Sequence, residues 1–313
     1  MPPKPLAYNA TLAERIDLTR SLSVFRVAPD EPSTAEGAWF VPGQYVVLGM
    51  NNEANPALGG VRRAMSIASA PEDRDSVEMY IRYVDHPESD NPLTHLLWPT
   101  KAGDRVYLTT RATGRFTVEH TIGNDDRRLK VCVAAGTGLA PFLSMVRSRV
   151  RRDPGADLSE YVLLHGASYP ADLGYRDELV ALAQAHNLRY MTSVSRPKEA
   201  PEWTGDGGRV EDYFLPERLA ELESRVGLGG GQLSPKTAAI YICGLQGTIS
   251  NCILRLIGRG FIPFDKKIRK ALAVPTDVPA TLFYEQYDNS PVIDINDPEL
   301  MAGLRAQLSA ALA

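Results

Sequence analysis

The stretch Val131-Cys-Val-Ala-Ala-Gly-Thr-Gly-Leu-Ala-Pro-Phe142 constrains the fold more than any other part of the chain. Residues 131–135 are apolar without interruption, as expected of a parallel strand buried on both faces. Gly136-Thr137-Gly138 breaks the run. Pro141 suits the first turn of a helix, where its missing N–H costs nothing, and Phe142, Leu143, Val146 and Val150 then recur at helical spacing. The pattern is strand, tight turn, helix. Two glycines let a ligand come close to the backbone, and a helix start offers unpaired N–H groups to a phosphate. A dinucleotide pyrophosphate fits such a turn, but so does a plain strand-to-helix reversal, and the surrounding sequence has to decide.

At 313 residues and 44% hydrophobic content the chain can bury a large core and divides most naturally into two domains. Its 34 basic and 38 acidic residues give a net charge of -4, which argues against nucleic acid as the main partner. Two local basic clusters, Arg147, Arg149, Arg151 and Arg152, and Lys266, Lys267, Arg269 and Lys270, read either as solvated helix faces or as docking points for an acidic protein. Cys132, Cys243 and Cys252 show no CxxC spacing and are too few for a four-thiolate iron–sulfur cluster. A reducing compartment follows. The five histidines are scattered with no HxxxH or HExxH, so no metal site is expected. Met1-Pro-Pro-Lys-Pro-Leu6 has no apolar leader character, and no run reaches the ~18 apolar residues of a membrane span. The expectation is a cytosolic protein with no membrane partner.

Residues 23–27, 44–48, 77–84 and 105–109 are β-rich runs bounded by Pro, Gly, Asn or Asp, which predicts an N-terminal antiparallel β-barrel. A helix-like interruption at 92–98 has its N-terminus free to face a phosphate, and the Gly- and Asn-rich loop 51–60 reads as mobile. After a polar link at Gly123-Asn-Asp-Asp126 the rhythm changes to strand then helix, with strands at 131–135, 161–164, 188–194, 239–243 and 282–285. That predicts a doubly wound α/β domain on a five-stranded parallel sheet, with helices that include 175–186 and 248–259, the latter closed by Gly260. Ligands then gather at the carboxyl ends of the strands, where Gly136, His165, Ser195 and Cys243 lie. In the tail, Asp297 caps a last helix that carries Leu300, Leu304, Leu308 and Leu312 every fourth residue. One leucine stripe implies one buried face, against its own domain or a second subunit. The expected division is 1–124 for the barrel, 125–287 for the α/β domain and 288–313 for the tail.

Two further stretches, Arg63-Ala-Met-Ser-Ile-Ala-Ser69 and Ile240-Tyr-Ile-Cys-Gly-Leu-Gln246, join the glycine turn in an order and separation that resembles the ferredoxin-NADP reductase superfamily, in particular its bacterial branch. The resemblance runs from about residue 10 to 287. It implies an FAD-binding barrel in which Arg63 forks onto the diphosphate, position 65 stacks on the isoalloxazine and Ser66 bonds near N5. A planar cation with several donors suits a diphosphate, and a neutral hydroxyl supports N5 without competing as a nucleophile. Met65 stands where the family has Tyr, and its thioether stacks less rigidly than a ring. Tyr80, Ile81 and Arg82, with Leu93 and Thr94, match the segments that complete FAD binding; alone, that strand is ordinary core. In the second domain Gly136, Thr137, Gly138 and Pro141 match the loop under the nicotinamide dinucleotide. Ser195 and Arg196 match the reader of the 2′-phosphate, with Arg209 a second cation, which favours NADPH over NADH; Ser168 stands where relatives often carry another Arg.

Cys243-Gly244 resembles the family pair beside the nicotinamide, where the thiol positions C4 and forms no covalent bond; without the resemblance a Cys ending a strand is packing. Tyr284-Glu-Gln-Tyr287 is similar to the terminal strand of plant-type relatives, which makes Tyr287 the ring on the flavin and Glu285 the nearby acid. In those relatives the tyrosine is the last residue, whereas 26 more follow here. The implied activity is that of an FAD-dependent ferredoxin/flavodoxin-NADP(+) reductase: hydride transfer between NADP(H) and the flavin, then single-electron exchange with an acidic ferredoxin or flavodoxin. The alternatives are the reductase component of an oxygenase or other multicomponent system, for which no fused cluster domain is expected here, and a non-catalytic flavin-binding regulatory subunit.

Overall fold

The chain is seen in a computed structural model that describes residues 4–31 and 38–312, so the first three residues of the leader reading lie outside the described residues. Its contacts form two compact units, one of Met1–Thr117 with Ala140–Pro154, the other of Val118–Leu139 with Gly155–Ala313.

The first unit is built on β1 (Ala10–Thr19), β2 (Leu22–Pro29), β3 (Tyr45–Asn51), β4 (Gly60–Ser66), β5 (Val77–Arg82) and β6 (Arg105–Leu108), with the short helix α1 (Leu93–Leu97) between β5 and β6. All pairings are antiparallel in the order β4-β3-β6-β1-β2-β5. An Ile67–Met79 bridge, with Ala68 N–H donating to Glu78 O at 2.8 Å, joins the end of β4 to β5 and closes the barrel. Leu12, Phe25, Val46, Leu48, Met79 and Leu108 fill it. The four expected runs are strands, and two more escaped the reading. In β1 the apolar alternation fails after Leu12, where a bulge sets in and Glu14, Arg15 and Asp17 occupy the strand. In β4, Arg62 and Arg63 interrupt the pattern of a segment that pairs with β3 over its full length. The loop read at 51–60 is shorter than expected, because Asn51 ends β3 and Gly60 opens β4. Between them a 3-10 turn at Pro56–Leu58 is tied by Asn52 N–H to Gly59 O at 3.0 Å.

Helix α2 (Val118–Thr121) opens the second unit, and α3 (Ala140–Arg152), which follows the glycine turn, counts with the barrel. In the first basic cluster Arg149, Arg151 and Arg152 are exposed, as a solvated face requires, while Arg147 is half-buried against the barrel. Arg147 Nη1 lies 2.6 Å from Glu78 Oε1 and donates to Ala68 O at 2.9 Å. Arg152 pairs with Glu72 at 2.6 Å and Arg151 with Asp73 at 3.3 Å. Arg149 has no ion pair among the described residues.

The second unit carries β7 (Leu129–Ala135), β8 (Tyr161–Ala167), β9 (Arg189–Val194), β10 (Asp206–Gly207), β11 (Ala238–Gly244) and β12 (Leu282–Gln286) in one parallel sheet, ordered β10-β9-β8-β7-β11-β12. The expected five-stranded sheet has a sixth strand: β10 holds two residues, too few for a hydrophobic pattern to announce it. Helices α4 (Arg176–His186), α5 (Pro216–Arg225), α6 (Gln246–Leu256) and α7 (Lys266–Ala271) intervene, and α6 runs through a 3-10 turn into Gly260 at φ 83°. Val131, Val133, Val162, Leu164, Ile240 and Ile242 present one sheet face to α6 and to the last helix, α8 (Pro298–Leu312). Asp297 caps α8 as expected, its Oδ1 accepting from Glu299 and Leu300 N–H at 3.0 Å. Met301, Leu304 and Leu308 are buried in the same core as Leu256 and Ile257. The leucine stripe thus packs on its own unit.

Candidate functional site

Strand order in the parallel sheet reverses between β7 and β11, since β8 lies on one side of β7 and β11 on the other. The carboxyl ends of strands at such a switch point diverge and leave a crevice for a ligand. Gly136 and Gly138 follow β7 there. Gly136 has φ +56°, and a Cβ built on it would meet nothing within 4 Å, so its backbone is open to a bound group. Gly138 is needed for the opposite reason. A Cβ there would stand 2.0 Å from the carbonyl oxygen of Cys243, so the turn comes against the end of β11 only as glycine.

Cys243 is wholly buried at that end. Its thiol donates to the Tyr287 hydroxyl at 3.3 Å, and the hydroxyl donates in turn to the carbonyl of Thr137 at 3.2 Å. Glu285 Oε2 lies 4.0 Å from the same sulfur, and Tyr287 N–H donates to Gly244 O at 3.2 Å. Burial first, then the Glu285 carboxylate, push the Cys243 thiol well above its ordinary value, and the Tyr287 bond opposes them only in part. The sulfur stays a neutral thiol, unsuited to nucleophilic attack. Gly136, Thr137, Gly138, Cys243, Gly244, Glu285 and Tyr287 are therefore brought together in one unit, although Thr137 and Tyr287 lie 150 residues apart. Tyr287 keeps 44% of its surface exposed. Pro141 stands in the first turn of α3, as its sequence position predicts.

His165 does not join this group. It is fully buried, its Nδ1 is 3.1 Å from the Tyr190 hydroxyl and its Nε2 has no hydrogen-bond partner among the described residues. Burial lowers its pKa to about 3. It is a neutral interior residue, and the expectation that it faces a ligand is corrected.

At the far edge of the same sheet, Gly207 of β10 is in register with Val194 of β9. Arg196 and Arg209 each follow two residues later, at matching positions beyond neighbouring parallel strands. Ser195 and Arg196 are exposed, and Ser195 N–H donates to Ala167 O at 3.0 Å. The Arg196 guanidinium lies over the Tyr169 ring, 5.4 Å from its centroid, and donates to its hydroxyl at 2.8 Å, which donates to Glu199 at 2.7 Å. Arg209 is anchored through its backbone N–H to Asp212 at 2.8 Å, while its side chain is 69% exposed and only loosely paired with Glu211 at 3.9 Å. Two cations on adjacent strand ends suit a phosphate monoester. Tyr169 and Glu199, which hold Arg196, carried no signal in the sequence, because one precedes and the other ends a short 3-10 turn without periodicity.

In the barrel, Arg63 and Met65 alternate on one face of β4 with Ser66 on the other. Arg63 is exposed and, among the described residues, bonds only the carbonyl of Arg62, at 2.9 Å, a planar cation whose donors suit an anion. Met65 packs against the barrel core, and Ser66 is buried. Tyr80, Ile81 and Leu93 are buried, Arg82 is half-buried, and Thr94 Oγ1 accepts from Val84 N–H at 3.4 Å. An exposed guanidinium with no ion pair among the described residues is chemically suited to a diphosphate. Among the described residues, no group of three or more His, Cys, Asp or Glu is placed to hold a metal ion. No helix among them is long and apolar enough to cross a membrane.

A closed antiparallel barrel, followed by a parallel sheet with an open glycine turn at its switch point, defines the class: a nucleotide-dependent oxidoreductase of two units. The family profile described as an oxidoreductase NAD-binding domain matches residues 132–252. Ferredoxin--NADP reductase B of Sorangium cellulosum (strain So ce56) is 32% identical over 256 residues, covering 81% of this chain and 93% of that protein. The reductase component of phenol 2-monooxygenase from Pseudomonas sp. (strain CF600) is 28% identical over 81% of this chain, which spans 63% of that component. A crystal structure of a ferredoxin NADP+ reductase from Neisseria gonorrhoeae with bound FAD and NADP shares the fold, with a TM-score of 0.68 at 23% identity, covering 90% of this chain and 98% of that one. The chain belongs to the ferredoxin–NADP reductase family of oxidoreductases, as the three motifs implied.

Proposed function

We propose that the protein is an FAD-dependent reductase that exchanges hydride with NADP(H) and single electrons with a ferredoxin or flavodoxin. The observation that carries this reading is the cluster of Gly136, Thr137, Gly138, Cys243, Glu285 and Tyr287 at the switch point of the parallel sheet. When bound, the flavin supplies the conversion between a two-electron and a one-electron donor. The chain's own residues bind and orient. Arg63 takes the FAD diphosphate, Ser66 supports the ring system near N5, Met65 replaces the stacking aromatic, and Tyr80, Ile81, Arg82, Leu93 and Thr94 complete the cradle. The open turn at Gly136 receives the dinucleotide, with Pro141 starting the helix beyond it. Cys243, neutral and immobile beside Gly244, orients the nicotinamide, and Glu285 stands by as the nearby acid. Ser195, Arg196 and Arg209 take the 2′-phosphate and give NADPH its preference. Residues 1–124 serve the flavin, 125–287 the dinucleotide, and 288–313 form the tail.

The exposed Lys266, Lys267 and Lys270 offer cations to an acidic carrier. Three unpaired, buried cysteines suit a reducing cytoplasm, where we place the protein. Similarity to the phenol 2-monooxygenase component supports a second reading, in which the electrons go to an oxygenase. Stopped-flow reduction of the bound flavin by NADPH and by NADH, followed by reoxidation with purified ferredoxin, flavodoxin or an oxygenase, separates the two. Purified protein that is colourless and takes up no added FAD overturns both.

A further inference from the structure

The tail after Tyr287 is tied down immediately. The carboxylate of Asp288 accepts from Gln246 N–H, the first residue of α6, at 3.0 Å through Oδ2. Through Oδ1 it accepts from Gln286 Nε2 at 2.6 Å and from Ser290 N–H at 2.9 Å. The Gln246 side chain reaches on to the carbonyl of Pro291 at 3.1 Å, and Val292 and Ile293 then enter the core. Burial draws the Asp288 carboxyl upward, but these hydrogen bonds outweigh it and hold its pKa below the ordinary range, so it is ionised at neutral pH. An ionised acceptor on a helix N-terminus is among the stronger hydrogen-bond partners a chain can supply.

Tyr287 is thus fixed from both sides. Its hydroxyl spans the Cys243 thiol and the Thr137 carbonyl, its N–H is held by Gly244, and the next residue is clamped to the helix that starts two positions after Gly244. The phenol is hydrogen-bonded to the glycine turn itself, through the carbonyl of Thr137, so a ligand seated on that turn competes with the ring for it.

We propose that Asp288 is a positioning residue that sets the frequency with which Tyr287 leaves the turn, and thereby the affinity for the nicotinamide dinucleotide. The inference rests on the reading of the switch point as the NADP(H) site. A ring held closed lowers apparent affinity by the fraction of time the site is open. Deleting the tail is a poor probe, because it also removes Met301, Leu304 and Leu308 from the core. Single substitutions at Asp288 leave the tail in place.

NADP+ binding to the full-length, flavin-loaded protein is titrated in a double-mutant cycle of Asp288→Ala and Tyr287→Ser, with thermal stability recorded alongside. Asp288→Ala is expected to tighten NADP+ by about fivefold, the equivalent of one ordinary hydrogen bond, and to lower KM for NADPH more than it changes kcat. In the Tyr287→Ser background it is expected to do nothing further. Equal tightening in both backgrounds means that the carboxylate acts on the ligand by charge and overturns the proposal. So does a loss of stability with unchanged affinity, when Tyr287→Ser alone still tightens NADP+; the site reading then survives. If the unsubstituted protein binds no NADP+, the site reading itself fails and the proposal with it. Should Asp288→Ala not fold, Asp288→Asn keeps the volume and one acceptor oxygen, and the same coupling is expected at reduced size.

Discussion

A methyl group on Gly138 would meet a backbone oxygen 2.0 Å away, and backbone cannot swing aside as a flexible side chain can. Gly138→Ala is therefore expected to push the turn away from Cys243 and weaken NADP+ binding at least tenfold, while the flavin spectrum stays as in the parent; a parental NADP+ titration would place the dinucleotide elsewhere. Arg63 answers to the other ligand. Among the described residues it bonds nothing but a neighbouring carbonyl, so Arg63→Ala should weaken FAD retention by about 2 kcal/mol with little change in the folding of the barrel. FAD that survives dilution and gel filtration equally well in the variant removes Arg63 from the flavin site. Arg196→Ala should lower the NADPH to NADH ratio of kcat/KM roughly tenfold or more, the worth of one charged contact. At this scale the glycines, the arginines and Cys243 were legible because each is a residue type with few substitutes for its task. The thiol–phenol–carbonyl chain was not, since it joins residues 44 and 150 positions apart and no local pattern records such a link.

Elements were legible where the sequence pattern follows burial. The central parallel strands announce themselves as unbroken apolar runs buried on both faces, and α6 and α8 by one buried stripe, α8 with its cap as well. β1 and β4 failed because their sequences serve something besides the core. β1 carries Glu14, Arg15 and Asp17 across a bulge, and Arg15 donates to the carbonyls of Trp98 and Thr100 while its guanidinium covers the Trp98 ring. β4 spends two consecutive positions on arginine. The tail helix yields a prediction of its own. Leu304 is 4% exposed in the core beside Ile257, so Leu304→Ala is expected to lower unfolding free energy by ~2–5 kcal/mol in urea titrations. A change within ~0.5 kcal/mol, the range of ordinary surface substitutions, would mean that α8 does not stay docked in solution.

α3 belongs with the barrel, and among its ties is the ion pair of Arg147 with Glu78, 69 residues apart and nearly buried on both sides, which helical periodicity has no means of revealing. Stability of the whole molecule should likewise depend on an interior group that sequence alone misplaced. His165 is enclosed in the sheet with a pKa lowered by burial to about 3, against an ordinary value of 6.5. Above pH 6.5 the imidazole is neutral whether the chain is folded or not, and it has no effect on the balance. As pH falls below 6.5 the unfolded chain takes up a proton that the folded chain refuses, so stability is lost by up to ~1.4 kcal/mol per pH unit until the folded value is reached. Carboxylates such as Asp126 and Asp288, held below their ordinary 3.8 by hydrogen bonds from Arg128 and from Gln246, add their own losses only nearer pH 4. The interval from pH 7 to 5 therefore isolates the histidine. In urea denaturation over that interval the parent should lose ~2 kcal/mol more than His165→Gln, whose amide keeps a partner for Tyr190 but cannot take up the proton. Parallel losses in the two proteins would mean that the folded chain admits the proton to His165, and that the sheet opens there below neutral pH.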